Sequence, residues 1–143
     1  MITASKVALN VKANTPEAAI KQVGQLMLDN QLIEPEYIDG MLNVFQEFGP
    51  YWVLTKGLAM PHARPEDGAI NSGLVVMTLK EPVYFGHEDH DPVSIVVGMS
   101  ATDKDQHVKN IQNLALVLGD NEKLKAIQQA QNPIEITTIM NNE

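Results

Sequence analysis

Four histidines and one arginine carry most of the chemistry this 143-residue chain could perform, because it contains no cysteine. Disulfides, thiolate metal sites and cysteine nucleophiles are thereby excluded. His62 lies in Gly57-Leu-Ala-Met-Pro-His-Ala-Arg-Pro65, where an apolar run feeds a proline and a second proline follows three residues later. Pro61 and Pro65 restrict Met60 and Arg64 to extended backbone, so the loop is stiff on both sides of the ring. That setting suits an imidazole held at fixed orientation for reaction, and equally one that caps a strand by hydrogen bonding. Arg64, the chain's one guanidinium, suits a phosphoryl group or carboxylate; it could also pair in solvent with Glu66 or Asp67.

His107 precedes Ile111, Leu114 and Leu118 at offsets that place it on the same helical stripe, in the first turn. A ring there lies beside the positive end of the helix dipole, in reach of an anion, or it simply covers the edge of the core. His87-Glu-Asp-His-Asp91 offers two imidazoles and three carboxylates in five residues, which could bind a metal. Its histidines are three apart in a loop flanked by Gly86 and Pro92, unlike the i, i+4 pair of a helical zinc motif. The reading preferred for it is a solvated acidic turn between strands. No nucleophile elbow, phosphate-binding loop or dinucleotide fingerprint occurs.

The elements that must position these groups are legible in the hydrophobic spacing. Val7, Leu9 and Val11 alternate as in a half-buried strand. Thr15-Pro16 opens a helix expected over 16–30, with Ile20, Val23, Leu26 and Met27 on its apolar side. A second helix starts near Pro35, carries Ile38, Met41, Leu42 and Phe45, and stops at Gly49-Pro50. Strands are expected at Trp52–Leu54, Leu58–Met60, Gly73–Leu79 and Val93–Val97. The last two are nearly continuous in apolar content, as in strands covered on both faces. Val108, Ile111, Leu114, Ala115 and Leu118 give a third helix ending at Gly119, and shorter helices follow at 121–130 and 133–141. This order implies an α/β fold, one domain spanning 1–143, with a mixed sheet flanked by helices.

Eighteen acidic against ten basic residues give a net charge of −8. Nucleic-acid binding needs clustered cations to displace counterions, and nine scattered lysines with one arginine do not supply them. The composition is that of an ordinary globular protein, with no membrane span and no secretory leader pattern, so the expected location is cytoplasmic and no direct membrane insertion is expected.

The Gly57–Pro65 motif, together with Leu79-Lys-Glu-Pro-Val83 and Asp105-Gln-His107, resembles the IIA phosphocarrier domains of the bacterial sugar phosphotransferase system, mannitol/fructose superfamily. Phe48-Gly-Pro-Tyr51 and Phe85-Gly-His-Glu-Asp-His-Asp-Pro-Val93 are most similar to the ascorbate-type members. The resemblance covers nearly the whole chain. It implies that the carrier protein HPr, charged from phosphoenolpyruvate by Enzyme I, passes a phosphoryl group to Nε2 of the histidine matching His62. A cysteine of the IIB component then receives it, for sugar entering through membrane IIC. The resemblance further implies that His107 stabilises the phosphoryl oxygens; Arg64, by its charge, is a weaker candidate for the same role, and no cofactor or metal is expected because His87–Asp91 is read as a turn. Docking is expected on an apolar patch around Met60 and Pro61 rimmed by Glu66 and Asp67. Two alternatives stay open: a regulatory IIA-like phosphoprotein not coupled to transport, and a metal-dependent hydrolase built on His87 and His90.

Overall fold

A computed structural model describes residues 2–141. Five strands, β1 (Val7–Val11), β2 (Val53–Thr55), β3 (Leu58–Ala59), β4 (Gly73–Val83) and β5 (Val93–Ser100), form one sheet in the order β1-β4-β5-β3-β2. β1 runs parallel to β4 and β3 to β5, whereas β4–β5 and β2–β3 are antiparallel. The sheet is therefore mixed, as the order of elements implied.

Each face of the sheet has its own helical cover. α1 (Pro16–Asp29) and α2 (Glu36–Phe48) pack Ile20, Val23, Met27 and Met41 against Val75, Met77 and Val96. On the other face α3 (Lys104–Leu118), α4 (Asn121–Gln129) and α5 (Pro133–Met140) bring Leu114, Ile127 and Ile136 to Val76, Ile95 and Val97. Neighbouring residues of β4 from Leu74 to Leu79 thus alternate between two cores, which is why that stretch is apolar but for the buried Thr78. α1 approaches the sheet closely at Gly98, where a Cβ would lie 2.8 Å from Met27 Sδ and 2.9 Å from Val23 Cγ2. Any larger residue there would push the helix off the sheet.

The helix ends follow capping chemistry. Thr15 Oγ1 accepts the Ala18 N–H (3.1 Å), and Asp103 Oδ1 accepts the Gln106 N–H (2.9 Å). Each satisfies a donor the first turn leaves without an intrahelical partner. Gly49 closes α2 with φ +73° and donates its N–H to Phe45 O at 2.8 Å.

Several expectations need correction, and β5 runs on past Val97 to Ser100. β4 continues past Leu79 to Val83, because Lys80, Glu81 and Pro82 extend beyond the helical cover and are exposed. The inward stripe of α3 is centred on Asn110, Leu114 and Val117, with the expected Ile111 and Leu118 half-buried against the same core, while Val108 and Ala115 are exposed. Asn110 disguised that stripe: its side chain is buried only because its Nδ2 donates to Ser100 O (3.0 Å) at the end of β5. A polar residue satisfied in this way interrupts the apolar pattern without weakening the packing.

Candidate functional site

β3 and β5 are adjacent and parallel, so the segments leaving them emerge at the same edge of the sheet. In open α/β sheets that edge is where crevices form. The segment after β3 carries His62, and the one after β5 leads through Asp103 into α3 and His107. The two rings face each other with centroids 5.3 Å apart and planes at 55°. They line a cleft of about 500 Å³ together with Arg64, Phe48 and Tyr51.

Hydrogen bonds fix the loop that holds His62. Met60 N–H donates to Trp52 O (3.1 Å), and Pro61 O accepts the Met99 N–H (3.1 Å). His62 Nδ1 lies 2.9 Å from Met60 O. A carbonyl can only accept, so Nδ1 bears the proton and Nε2 keeps its lone pair. Tyr51 and Trp52 flank the ring at 6.1 and 6.0 Å between centroids. The pKa of His62 is held below the ordinary 6.5, chiefly because burial disfavours the charged form; the Met60 carbonyl opposes this and His107 reinforces it. The imidazole is therefore neutral at pH 7, with one nitrogen committed and the other free. Such a group is a nucleophile, and a facing ring in a helix's first turn is placed to bond an anion formed on it.

Arg64 lines the same cleft, but its side chain is 73% exposed and lies 3.7 Å from Glu66 and 3.5 Å from Asp67. The solvent pairing with Glu66 and Asp67 is thus present, and an exposed pair of this kind is weak. α2 approaches the turn after Arg64 at Gly40, where a Cβ would stand 3.0 Å from the Asp67 Cβ.

The His87–Asp91 segment is a hydrogen-bonded turn between β4 and β5. Asp91 Oδ1 accepts the Phe85 N–H, and its Oδ2 accepts those of Gly86 and His87, at 2.7–2.9 Å. His87 Nδ1 accepts the N–H groups of Asp89 and His90, both at 3.1 Å. The Asp91 carboxylate and His87 Nδ1 are thus already engaged by the backbone. No cluster of three or more His, Asp or Glu among the described residues could hold a metal ion.

The expected docking patch is not an exposed surface. Met60 is 2% exposed and Pro61 is buried, because both are drawn into the sheet edge by the loop's backbone bonds. The exposed apolar groups at the cleft are Phe48 (62%) and Tyr51 (50%), packed edge to face at 5.9 Å. Sequence reading also passed over Tyr37, whose buried hydroxyl accepts the Ala63 N–H at 2.9 Å. Its place four residues before Met41, on the buried side of α2, was the available signal.

The proteins that this two-faced mixed sheet and its sequence resemble are components of a sugar phosphotransferase system. The family model for the EIIA 2 component of the phosphoenolpyruvate-dependent sugar phosphotransferase system matches residues 1–143, and the chain belongs to that family. It is 37% identical over 136 residues to the ascorbate-specific phosphotransferase system EIIA component of Salmonella typhimurium, covering 92% of this chain and 88% of the relative. Among solved structures, the mannitol-specific cryptic enzyme IIA CmtB of Escherichia coli superposes with a TM-score of 0.86 at 32% identity, covering 97% and 94% of the two chains. The mannitol enzyme IIA of Escherichia coli, solved in complex with phosphorylated enzyme IIB, superposes with a TM-score of 0.87 at 26% identity over 100% and 99%. The protein is thus a phosphocarrier of a sugar phosphotransferase system. No helix among its described residues is long and apolar enough to cross a membrane.

Proposed function

We propose that the whole chain acts as one cytoplasmic phosphocarrier domain, in which His62 Nε2 takes a phosphoryl group from phosphorylated HPr and hands it to a cysteine of a IIB component. The similarity to ascorbate-specific EIIA components makes ascorbate the sugar substrate favoured for the system. The observation that carries the assignment is the 2.9 Å bond from Nδ1–H to Met60 O, which leaves Nε2 as the ring's free nucleophilic nitrogen.

In the first half-reaction the Nε2 lone pair attacks phosphorus as the P–N bond to the donor histidine breaks, its electron pair returning to the donor ring. Nδ1 keeps its proton and Met60 O partly offsets the positive charge that develops on the ring. In the second, a IIB thiolate attacks and the P–N electron pair returns to Nε2, restoring the starting tautomer. Little covalent work falls to the protein in such transfers; positioning and stabilisation of the equatorial oxygens dominate. His107 donates to those oxygens across the cleft, and Arg64 adds charge once its exposed acidic partners let go. Phe48 and Tyr51 give both partners an apolar surface beside the reacting nitrogen.

The test is incubation with phosphoenolpyruvate, Enzyme I and HPr, followed by intact-mass and peptide mass spectrometry. One acid-labile, base-stable phosphoryl group should appear on the His62 peptide. Label on any other residue, or none, would overturn the reading.

A further inference from the structure

The backbone on either side of His62 belongs to a closed circuit of hydrogen bonds that runs through a single side chain. Pro61 O accepts the Met99 N–H at 3.1 Å. Met99 O, the other end of the same residue, accepts the Tyr37 O–H at 2.9 Å. The Tyr37 oxygen then accepts the Ala63 N–H at 2.9 Å. The circuit therefore leaves the loop at Pro61, passes through β5 and α2, and returns at Ala63. His62 is the residue enclosed.

Tyr37 is 1% exposed, in the first turn of α2, and its hydroxyl has no water to fall back on. The Ala63 carbonyl lies 3.2 Å away as a second acceptor for the same proton. Replacing Tyr37 with Phe would leave the Ala63 N–H and the Met99 carbonyl without this partner while changing the packed volume little. An α2 core contact does not require a hydroxyl at this place, since Met41 and Ile38 fill the same helix face without one.

We propose that Tyr37 is a positioning residue for phosphoryl transfer: its hydroxyl locks the Pro61–Ala63 backbone so that Met60 O can hold Nδ1–H and Nε2 points in one direction. The inference rests on His62 being the phosphoryl acceptor. Its effect is on geometry, since the hydroxyl acts through Ala63 and Met99. Burial raises the Tyr37 pKa to about 12, so the hydroxyl keeps its proton, and the circuit its direction, throughout the pH range of the reaction.

Three measurements decide it. In single-turnover transfer from phosphorylated HPr, Tyr37→Phe should lower the maximal rate by about 10–100-fold with half-saturation changed by less than about twofold, since misplacement of a reacting atom by about 1 Å costs on that order. Ile20→Val, a buried α1 change outside the loop, serves as a control for a core packing change and should keep the wild-type rate. Nitrogen-15 spectra of the unphosphorylated proteins should show His62 fixed with its proton on Nδ1 in the wild type and exchanging between tautomers in Tyr37→Phe. Amide exchange on the wild type alone, which needs no variant, should show Ala63 protected to the level of Met99.

An Ala63 amide exchanging at the rate of an open loop would overturn the proposal, as would a wild-type maximal rate in Tyr37→Phe. An equal loss of rate in the Ile20→Val control would reduce Tyr37 to general packing. Should the wild type accept no phosphoryl group at all, the phosphocarrier reading of His62 fails, while the tautomer and exchange measurements still report whether Tyr37 fixes the loop.

Discussion

Two histidine pairs occur in this protein, and the backbone engages one ring of each in opposite ways. His87 and His90 are close in sequence and stack with centroids 4.4 Å apart, planes at 16°. His62 and His107 come from separate segments and stand farther apart, at 5.3 Å and 55°. In the first pair His87 Nδ1 is an acceptor for two backbone N–H groups, so its proton must sit on Nε2 and no lone pair is left free. In the second, His62 Nδ1 is a donor and Nε2 is the free nitrogen. Proximity of imidazoles thus does not tell which ring nitrogen is free. The informative question is which nitrogen the backbone has already taken.

The widest separation of the two pairs comes from deleting each. His62→Ala should abolish phosphorylation, whereas a His87→Ala/His90→Ala double variant should accept the group at a rate within about threefold of wild type, read by the same phosphorylation assay. Label retained in His62→Ala, or lost in the double variant, would reverse the comparison.

Within the His62–His107 pair the two rings should differ in kind. His107→Ala removes a donor to the phosphoryl oxygens while the nucleophile stays, so both half-reactions should slow by about 10²–10³, or roughly 3–4 kcal/mol, as seen for loss of one such donor elsewhere. His107→Gln keeps a donor of similar reach and should retain more activity. Wild-type rates in a folded His107→Ala protein would leave that ring as cover for the core edge.

The pH response sharpens the contrast further. The folded pKa of His62 lies below 6.5, mainly through burial. Acceptance should therefore be flat above pH 6.5 and fall only on acidification through that lower value. For stability the sign is the same. The unfolded ring binds a proton near pH 6.5 while the folded ring resists it, so stability is lost as pH falls from about 6.5 toward the folded pKa and is unaffected above. A rate profile with its midpoint at or above 6.5 would contradict the burial argument.

Smaller effects belong to the turn. Asp91→Ala removes an acceptor from three backbone N–H groups. It should cost roughly 2 kcal/mol and lower the melting temperature by about 5 °C, with transfer rates within about twofold of wild type. The smallest effect expected is none. If HPr is charged first and metal then removed by chelation, transfer to this protein should be unchanged, because Asp91 and His87 Nδ1 are engaged by backbone. A loss restored by zinc would show that the turn opens for an ion.

Much of the architecture was fixed by local chemistry. Thr15-Pro16 and Asn132-Pro133 open helices because a capping oxygen and a preset φ suffice, and Gly49 ends α2 because its backbone leaves the helix at positive φ. The runs in β4 and β5 announce a sheet covered on both sides because residues alternate between two cores. Pro61 and Pro65 mark the His62 loop as stiff, and the family motif singled out the same ring. These signals reside in neighbouring residues, where sterics and capping act over a few bonds.

Tertiary structure decided the rest. That His62 and His107 meet follows from β3 lying beside β5 in parallel, a pairing no local pattern encodes. That Met60 and Pro61 are buried, leaving Phe48 and Tyr51 at the cleft, follows from backbone bonds to Trp52 and Met99. Asn110 faces inward because Ser100 supplies an acceptor from another element, and Tyr37 reaches the loop because α2 packs over its far side. The tautomer of His62 is likewise set by where the Met60 carbonyl points in the folded chain. Residue type and spacing say what a side chain can do; hydrogen-bond partners distant in sequence decide which of its atoms remain free to do it.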